Sequence, residues 1–184
     1  MLTDDILVRD PRTGLVHISS SPSTSTRPEG TALIRNLINT TRGTTEVRMQ
    51  RPAPMGGQRP YALMIPDMNS SFERTAEVWI YTGTEYTFII GSWSNTETHV
   101  VDRNNGLQIV LAHELIHAER FLYGHRASFS IFSNDIFMIP MLNLYFDLDG
   151  RLRTQWIDYE EVLTIRRENL IRREQGMPFP RHRW

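Results

Sequence analysis

The stretch Leu111–Tyr123, LAHELIHAERFLY, decides how this chain is read. His113 and His117 stand four apart, so on a helix of 3.6 residues per turn they project from one face, one turn apart. Two imidazole nitrogens so placed reach one tetrahedral zinc ion at about 2.0–2.1 Å. Glu114 follows the first histidine, the position from which a carboxylate in an HExxH arrangement serves as general base. Ile109, Val110, Leu111, Leu115, Ile116, Phe121 and Leu122 make the segment apolar on most sides, which predicts a buried helix. A buried helix with two histidines and a glutamate needs something to satisfy them, and a metal ion does so. The short motif also recurs by accident on surface helices with solvated histidines. The apolar setting and the lack of any cysteine weigh for the metal.

Outward from the motif, a helix is predicted from about Asn104 to Tyr123, opened by Asn104 or Asn105 and closed by Gly124. Met141–Asp147 and Arg151–Gln155 flank Asp149-Gly150, a hairpin signal. A last helix is predicted from about Asp158 to Gln175, stopped by Gly176 and the prolines 178 and 180. Upstream, Glu46–Gln50, Tyr61–Ile65, Glu77–Thr82 and Glu85–Ile90 are strand-like, and the last two are close enough for a hairpin. Leu33, Ile34, Leu37 and Ile38 recur at helical spacing within Glu29–Thr41, with Gly43 as the stop and the apolar stripe expected on a sheet. Ile6–Arg9 and Leu15–Ser19 read as short strands, and the Ser/Thr/Pro-rich residues 19–30 as a loop. No repeat is present. The expectation is one α+β domain over 1–184.

Zinc in a hydrolase needs a third protein ligand and one open position. A ligand histidine further along the same helix would require Gly and His where Arg120 and Tyr123 stand, which rules that solution out. A glutamate on a second helix is offered by YEEVLT, 159–164. Glu160 and Glu161 point about 100° apart. Glu161 has Ile157 and Ile165 a turn away on either side, whereas Glu160 lies between Trp156 and Thr164. The apolar flanks turn Glu161 inward, where a carboxylate survives only if paired or bound. Glu160 is the reserve ligand. Adjacent acids opening a helix also serve simply to stabilise its N-terminus.

The composition narrows the rest. A net charge of −1 gives no electrostatic case for a nucleic-acid partner, and no apolar run is long enough to insert in a membrane. The N-terminus lacks the apolar stretch of a signal peptide. The expectation is retention in the cell, export without a cleaved signal, or excision from a larger chain. Every one of the 20 basic residues is arginine. Two readings stand: a GC-rich genome, or a toxin that avoids lysine-directed modification in another cell's cytosol.

HELIHAERFLYG at 113–124 with YEEVLT at 159–164 is similar to the active-site pair of the clostridial neurotoxin light chains, zinc endopeptidases. ENLIRREQGMPFPR at 168–181 resembles more closely the NleD-like family of bacterial effector metallopeptidases. Related domains sit at the C-termini of type VI secretion spike proteins of the VgrG type and of Rhs-type toxins. The resemblance covers roughly residues 107–184. It implies a zincin-like (gluzincin) fold: an active-site helix on a small mixed sheet, and a second helix supplying the third ligand. It also implies one Zn2+ per chain held by His113, His117 and Glu161. The implied setting is a secreted effector, delivered into a host cytosol or bacterial periplasm, with a protein substrate there and a cognate immunity protein as further partner. The chain departs from the family in two places. TIRRENLIRRE reads as one unbroken helix where a glycine break is common, and the terminus is RHRW where many members carry Arg and then Tyr.

The function expected is peptide-bond hydrolysis with Glu114 as general base. The alternatives are a zinc amidase on cell-wall peptides and a non-catalytic, zinc-stabilised binding module. Candidates for stabilising the transition state are Tyr159, Arg172, Arg173, Arg181 and His182, any arginine among them being more often a solvated helix residue. Glu119 reads as exposed, or else as a partner of a ligand histidine. By fold analogy, Glu77–Thr82 or Glu85–Ile90 would be the edge strand that holds an extended substrate.

Overall fold

A computed structural model describes residues 1–50, 62–68, 74–81, 87–91, 96–100, 103–124, 141–146, 152–157 and 159–177. The architecture is α+β, with three helices and small sheets among these residues. The order is β1 (Ile6–Arg9), β2 (Val16–Ser20), α1 (Pro28–Asn39), β3 (Gly43–Gln50), β4 (Ala62–Met68) and β5 (Arg74–Tyr81). There follow β6 (Thr87–Gly91), β7 (Thr96–Val100), α2 (Arg103–Leu122), β8 (Met141–Phe146), β9 (Leu152–Ile157) and α3 (Tyr159–Glu174). Strands β1–β2, β6–β7 and β8–β9 form antiparallel pairs, the last as the Asp-Gly signal predicts.

The platform for the site is the mixed sheet β3-β5-β4, with β3 parallel and β4 antiparallel to β5. In β5, Ala76, Val78 and Ile80 are buried while Glu77 and Trp79 face the other way, the period-2 pattern of a sheet with one covered face. α2 covers that face, packing Ile109, Ala112, Leu115, Ile116, Ala118, Phe121 and Leu122 into one core with Leu33, Met64 and Ile171.

Four expectations change here. β5 pairs with β3 and β4 rather than with the strand after it, and β6 pairs with β7, so the hairpin between Glu77–Thr82 and Glu85–Ile90 does not form. The reason is burial: the one strand whose alternate residues all reach the core takes the centre. Being central, β5 offers no edge to a substrate; β4 is an edge among the described residues. α1 packs mainly against α2 and α3, with a lesser contact to β2, and not on the β3-β5-β4 sheet, whose apolar face α2 already occupies. Gly43 opens β3 instead of ending α1, whose last turn gives way at an extended Thr40. A Cβ on Gly43 would lie 2.1 Å from the Arg74 carbonyl oxygen and 2.7 Å from Leu122 Cδ2, so the glycine is there for close approach.

α3 ends as predicted. Gly176 adopts φ 72°, Met177 N–H donates to Arg172 O, and Gly176 N–H to Arg173 O, each at 3.0 Å, the paired bonds of a Schellman cap. α1 has no side-chain cap of its own at Arg27. Glu174 of α3 takes that place, accepting Glu29 N–H at 2.6 Å and Gly30 N–H at 3.0 Å. The three helices are thus tied to one another by packing and by a carboxylate at a helix N-terminus.

Candidate metal centre

His113 and His117 lie on the face of α2 turned to the first turns of α3, and both are buried. Their Nε2 atoms are 3.2 Å apart, with the rings nearly perpendicular at 80°. Glu161 enters from α3, its Oε2 2.9 Å from His117 Nε2 and its Oε1 3.2 Å from His113 Nε2. One donor atom from each residue lies within 4.8 Å of the others, close enough to bind a single metal ion. Tetrahedral zinc with bonds of about 2.0–2.1 Å spaces its ligand atoms about 3.3 Å apart. The donors fit that spacing.

The charge arrangement points the same way. Burial alone would push the His113 imidazole down, but hydrogen bonds and charge from Glu161 and Glu168 outweigh it and raise the ring to about 9. Burial likewise pushes Glu161 up, and the two imidazoles override it, leaving its carboxyl well below the usual range. A carboxylate and two imidazole nitrogens turned to one point favour a cation there, and a divalent ion would satisfy both Nε2 lone pairs at once.

Glu114 points to the sheet side of the centre. Burial raises its carboxyl above the ordinary range, opposed by the nearby imidazoles and by a hydrogen bond from the backbone N–H of Met64 in β4. A carboxyl raised this way takes up a proton more readily than a solvated one, as a general base must.

Glu160 is not in the ligand set. It accepts Arg120 Nε on both oxygens at 2.8 Å, and its Oε1 is 3.4 Å from His117 Nδ1. Burial pushes it up, but His117 and Arg120 bring it below its usual value. The reserve ligand is therefore a support behind His117, and Glu161 is the acid facing the histidines.

Glu168 is a site residue that the sequence reading misses. It is fully buried and its Oε2 is 2.9 Å from His113 Nδ1. Thr164 Oγ1 stands 3.3 Å from His117 Nδ1. The signal was available: Glu168 follows Glu161 by seven, which returns a helix to nearly the same face. Glu119 is neither exposed nor bound to a histidine. It is buried, accepting Asn36 Nδ2 at 2.7 Å and pairing with Arg167, so it joins the three helices.

Two of the residues read as transition-state groups lie on α3 away from the donor atoms. Arg172 is buried against Glu168, and Arg173 is exposed in the last turn of α3, about 18 Å along the helix from Glu161. The Tyr159 side chain, Arg181 and His182 lie outside the described residues. A cavity of about 390 Å³ opens on the flank of α2 between the helices, lined by Asn36, Ile116, Glu119, Arg120, Tyr123, Leu163 and Arg167. Its lining residue Arg120 is bonded to Glu160 beside His117. No family model, curated protein or solved structure matches the chain.

Proposed function

We propose that the chain is a zinc-dependent endopeptidase of zincin-like (gluzincin) type, acting as a secreted bacterial effector on a protein of the cell it enters. One observation carries the reading: His113, His117 and Glu161 gather donor atoms for one ion, and Glu114 is the residue beside the first of them. Two imidazoles and one carboxylate, leaving a position open, are the donor set of a hydrolytic zinc site. Zinc, when bound, supplies Lewis acidity toward a carbonyl oxygen and makes water more acidic. Glu114 contributes the proton transfers: its burial lets the carboxyl accept a proton and return it to a leaving amine, and the Met64 N–H keeps it oriented. β4, an edge strand among the described residues, runs beside Glu114 and suits an extended peptide paired along it. A binding module with structural zinc would have no use for that base. The family resemblance and the all-arginine basic set support the effector setting and, with it, a cognate immunity protein.

The test is zinc content with cleavage of unfolded protein substrates by the wild type and Glu114→Gln. The variant is expected to keep stoichiometric zinc and lose about 10²–10⁴ in turnover. A variant that keeps zinc and still cleaves, or a wild type that cleaves only cell-wall peptides, would overturn the endopeptidase reading. Expressing both forms in a eukaryotic cytosol and in a bacterial periplasm locates the target by where toxicity depends on Glu114.

A further inference from the structure

The two histidines are supported from behind by unlike partners. His113 Nδ1 has a 2.9 Å hydrogen bond to Glu168, a carboxylate with no exposure, which lies 3.4 Å from the equally sealed Arg172. His117 Nδ1 has two long contacts, 3.4 Å to Glu160 and 3.3 Å to Thr164, and its single N–H serves one of them at a time. Glu160 is drawn the other way by Arg120, which borders the 390 Å³ cavity.

We infer that Glu168 is the positioning residue of the metal centre. Its buried bond fixes the His113 ring with the proton on Nδ1 and the Nε2 lone pair toward the ion, making His113 the rigid arm and His117 the yielding one. The inference rests on the zinc-hydrolase reading of the site. Three physical points carry it. A hydrogen bond to a carboxylate is stronger where water is excluded, and Glu168 is the more sealed of the two acids. An imidazole donating Nδ1–H to a carboxylate is a better electron-pair donor at Nε2. Arg172 supplies the opposite charge that a buried carboxylate requires, so Glu168 needs no solvent to remain in place. One helix, α3, therefore carries a ligand in Glu161 and, at Thr164 and Glu168, partners for both rings.

The experiment measures Zn2+ affinity, by competition with a chromophoric chelator, for wild type, Glu168→Gln, Glu168→Ala and Glu160→Ala. Imidazole 15N–1H spectra of the zinc-loaded wild type accompany it. Glu168→Ala is expected to weaken zinc binding about 10–100-fold, Glu168→Gln to recover most of that through its amide oxygen, and Glu160→Ala to cost clearly less. The spectra are expected to show a slowly exchanging Nδ1–H on His113 and a faster one on His117. Glu168→Ala within about twofold of wild type, or Glu160→Ala as damaging as Glu168→Ala, would overturn the inference alone. A His113 ring protonated on Nε2 in the loaded protein would do the same, and it decides the matter if Glu168→Ala fails to fold. A wild type that binds no zinc removes the hydrolase reading and this inference together.

Discussion

α2 and α3 meet along the candidate metal centre, yet they are built on opposite plans. α2 packs mainly through hydrocarbon, with Ile109, Ala112, Leu115, Ile116, Ala118, Phe121 and Leu122 buried and His113, His117 and Glu119 set among them. α3 is dominated by arginine and glutamate, and its buried residues include Thr164, Glu168 and Arg172 beside Ile165 and Ile171. Hydrocarbon burial places the first helix, while the second depends also on polar groups that must each find a partner. The two are therefore sensitive to different changes: α2 to lost volume, α3 to a partner removed.

The largest effect that sharpens this contrast is in α3. Arg172→Met removes the cation that faces the buried Glu168 carboxylate and is expected to cost about 3–5 kcal/mol, against about 2–5 kcal/mol for Ile116→Ala in α2. Converting Glu168 and Arg172 together to Leu is expected to recover only part of that loss, because an apolar pair removes the buried charges but leaves His113 Nδ1 without its carboxylate. Urea unfolding of the three proteins measures it. Equal stability of Arg172→Met and wild type would mean that α3 is held by its isoleucines after all.

A smaller effect tests how α3 is tied at its far end. An acid in the last turn of a helix opposes that helix's own dipole, so Glu174 is not there for α3. It closes the N-terminus of α1, which has no cap of its own. Glu174→Ala is expected to cost about 1 kcal/mol, the usual price of a lost N-cap, measured as a lower melting temperature. A melting temperature equal to wild type would leave packing alone as the tie between α1 and α3.

The same contrast explains what could be read in advance. The α2 site is legible because HExxH puts its chemistry at fixed spacing on an apolar helix, and because metal ligation demands particular atoms. The existence of all three helices follows from periodicity, and the ends of α2 and α3 and the β8–β9 hairpin follow from glycine stops and turn residues, for the same local reason. Choosing Glu161 over Glu160 needed the apolar neighbours at 157 and 165 together with the family resemblance; Glu161 is the acid that meets the histidines, although Ile157 ends β9 and Ile165 alone of the two lies on α3. The burial of Arg172 and Glu119 was not legible, and that of Glu168 was signalled only by its seven-residue step from Glu161. Charged residues on an arginine-rich helix look solvated until the partners that bury them are known, and those partners lie 55, 4 and 48 residues away in His113, Glu168 and Arg167. The strand order failed for a related cause: pairing is decided by which strand reaches the core, a tertiary fact that a Thr-Gly turn signal does not carry.

The smallest expected effect lies outside both helices, in the segment that leads into α1. Asp4 gathers the Ser/Thr-rich loop by accepting Ser25 Oγ at 2.9 Å, Thr26 N–H at 2.6 Å and Arg27 N–H at 3.0 Å, and it pairs with the Arg27 guanidinium. Burial pushes its carboxyl up, but these donors prevail and bring it from 3.8 down to about 2. A carboxyl whose folded value lies below its unfolded one contributes stability that is complete above the unfolded value. That contribution is lost as pH falls through the folded value, here between about 4 and about 2. Asp4→Asn is therefore expected to melt below wild type at about pH 6 and to approach it as the pH is lowered to about 2, since only the wild type has this term to lose. Melting temperatures of both proteins across that range measure the gap. A gap that stays constant with pH would show that the loop is held by its hydroxyls and backbone without help from the Asp4 charge, leaving the ordering of residues 25–27 a matter of packing against Thr31.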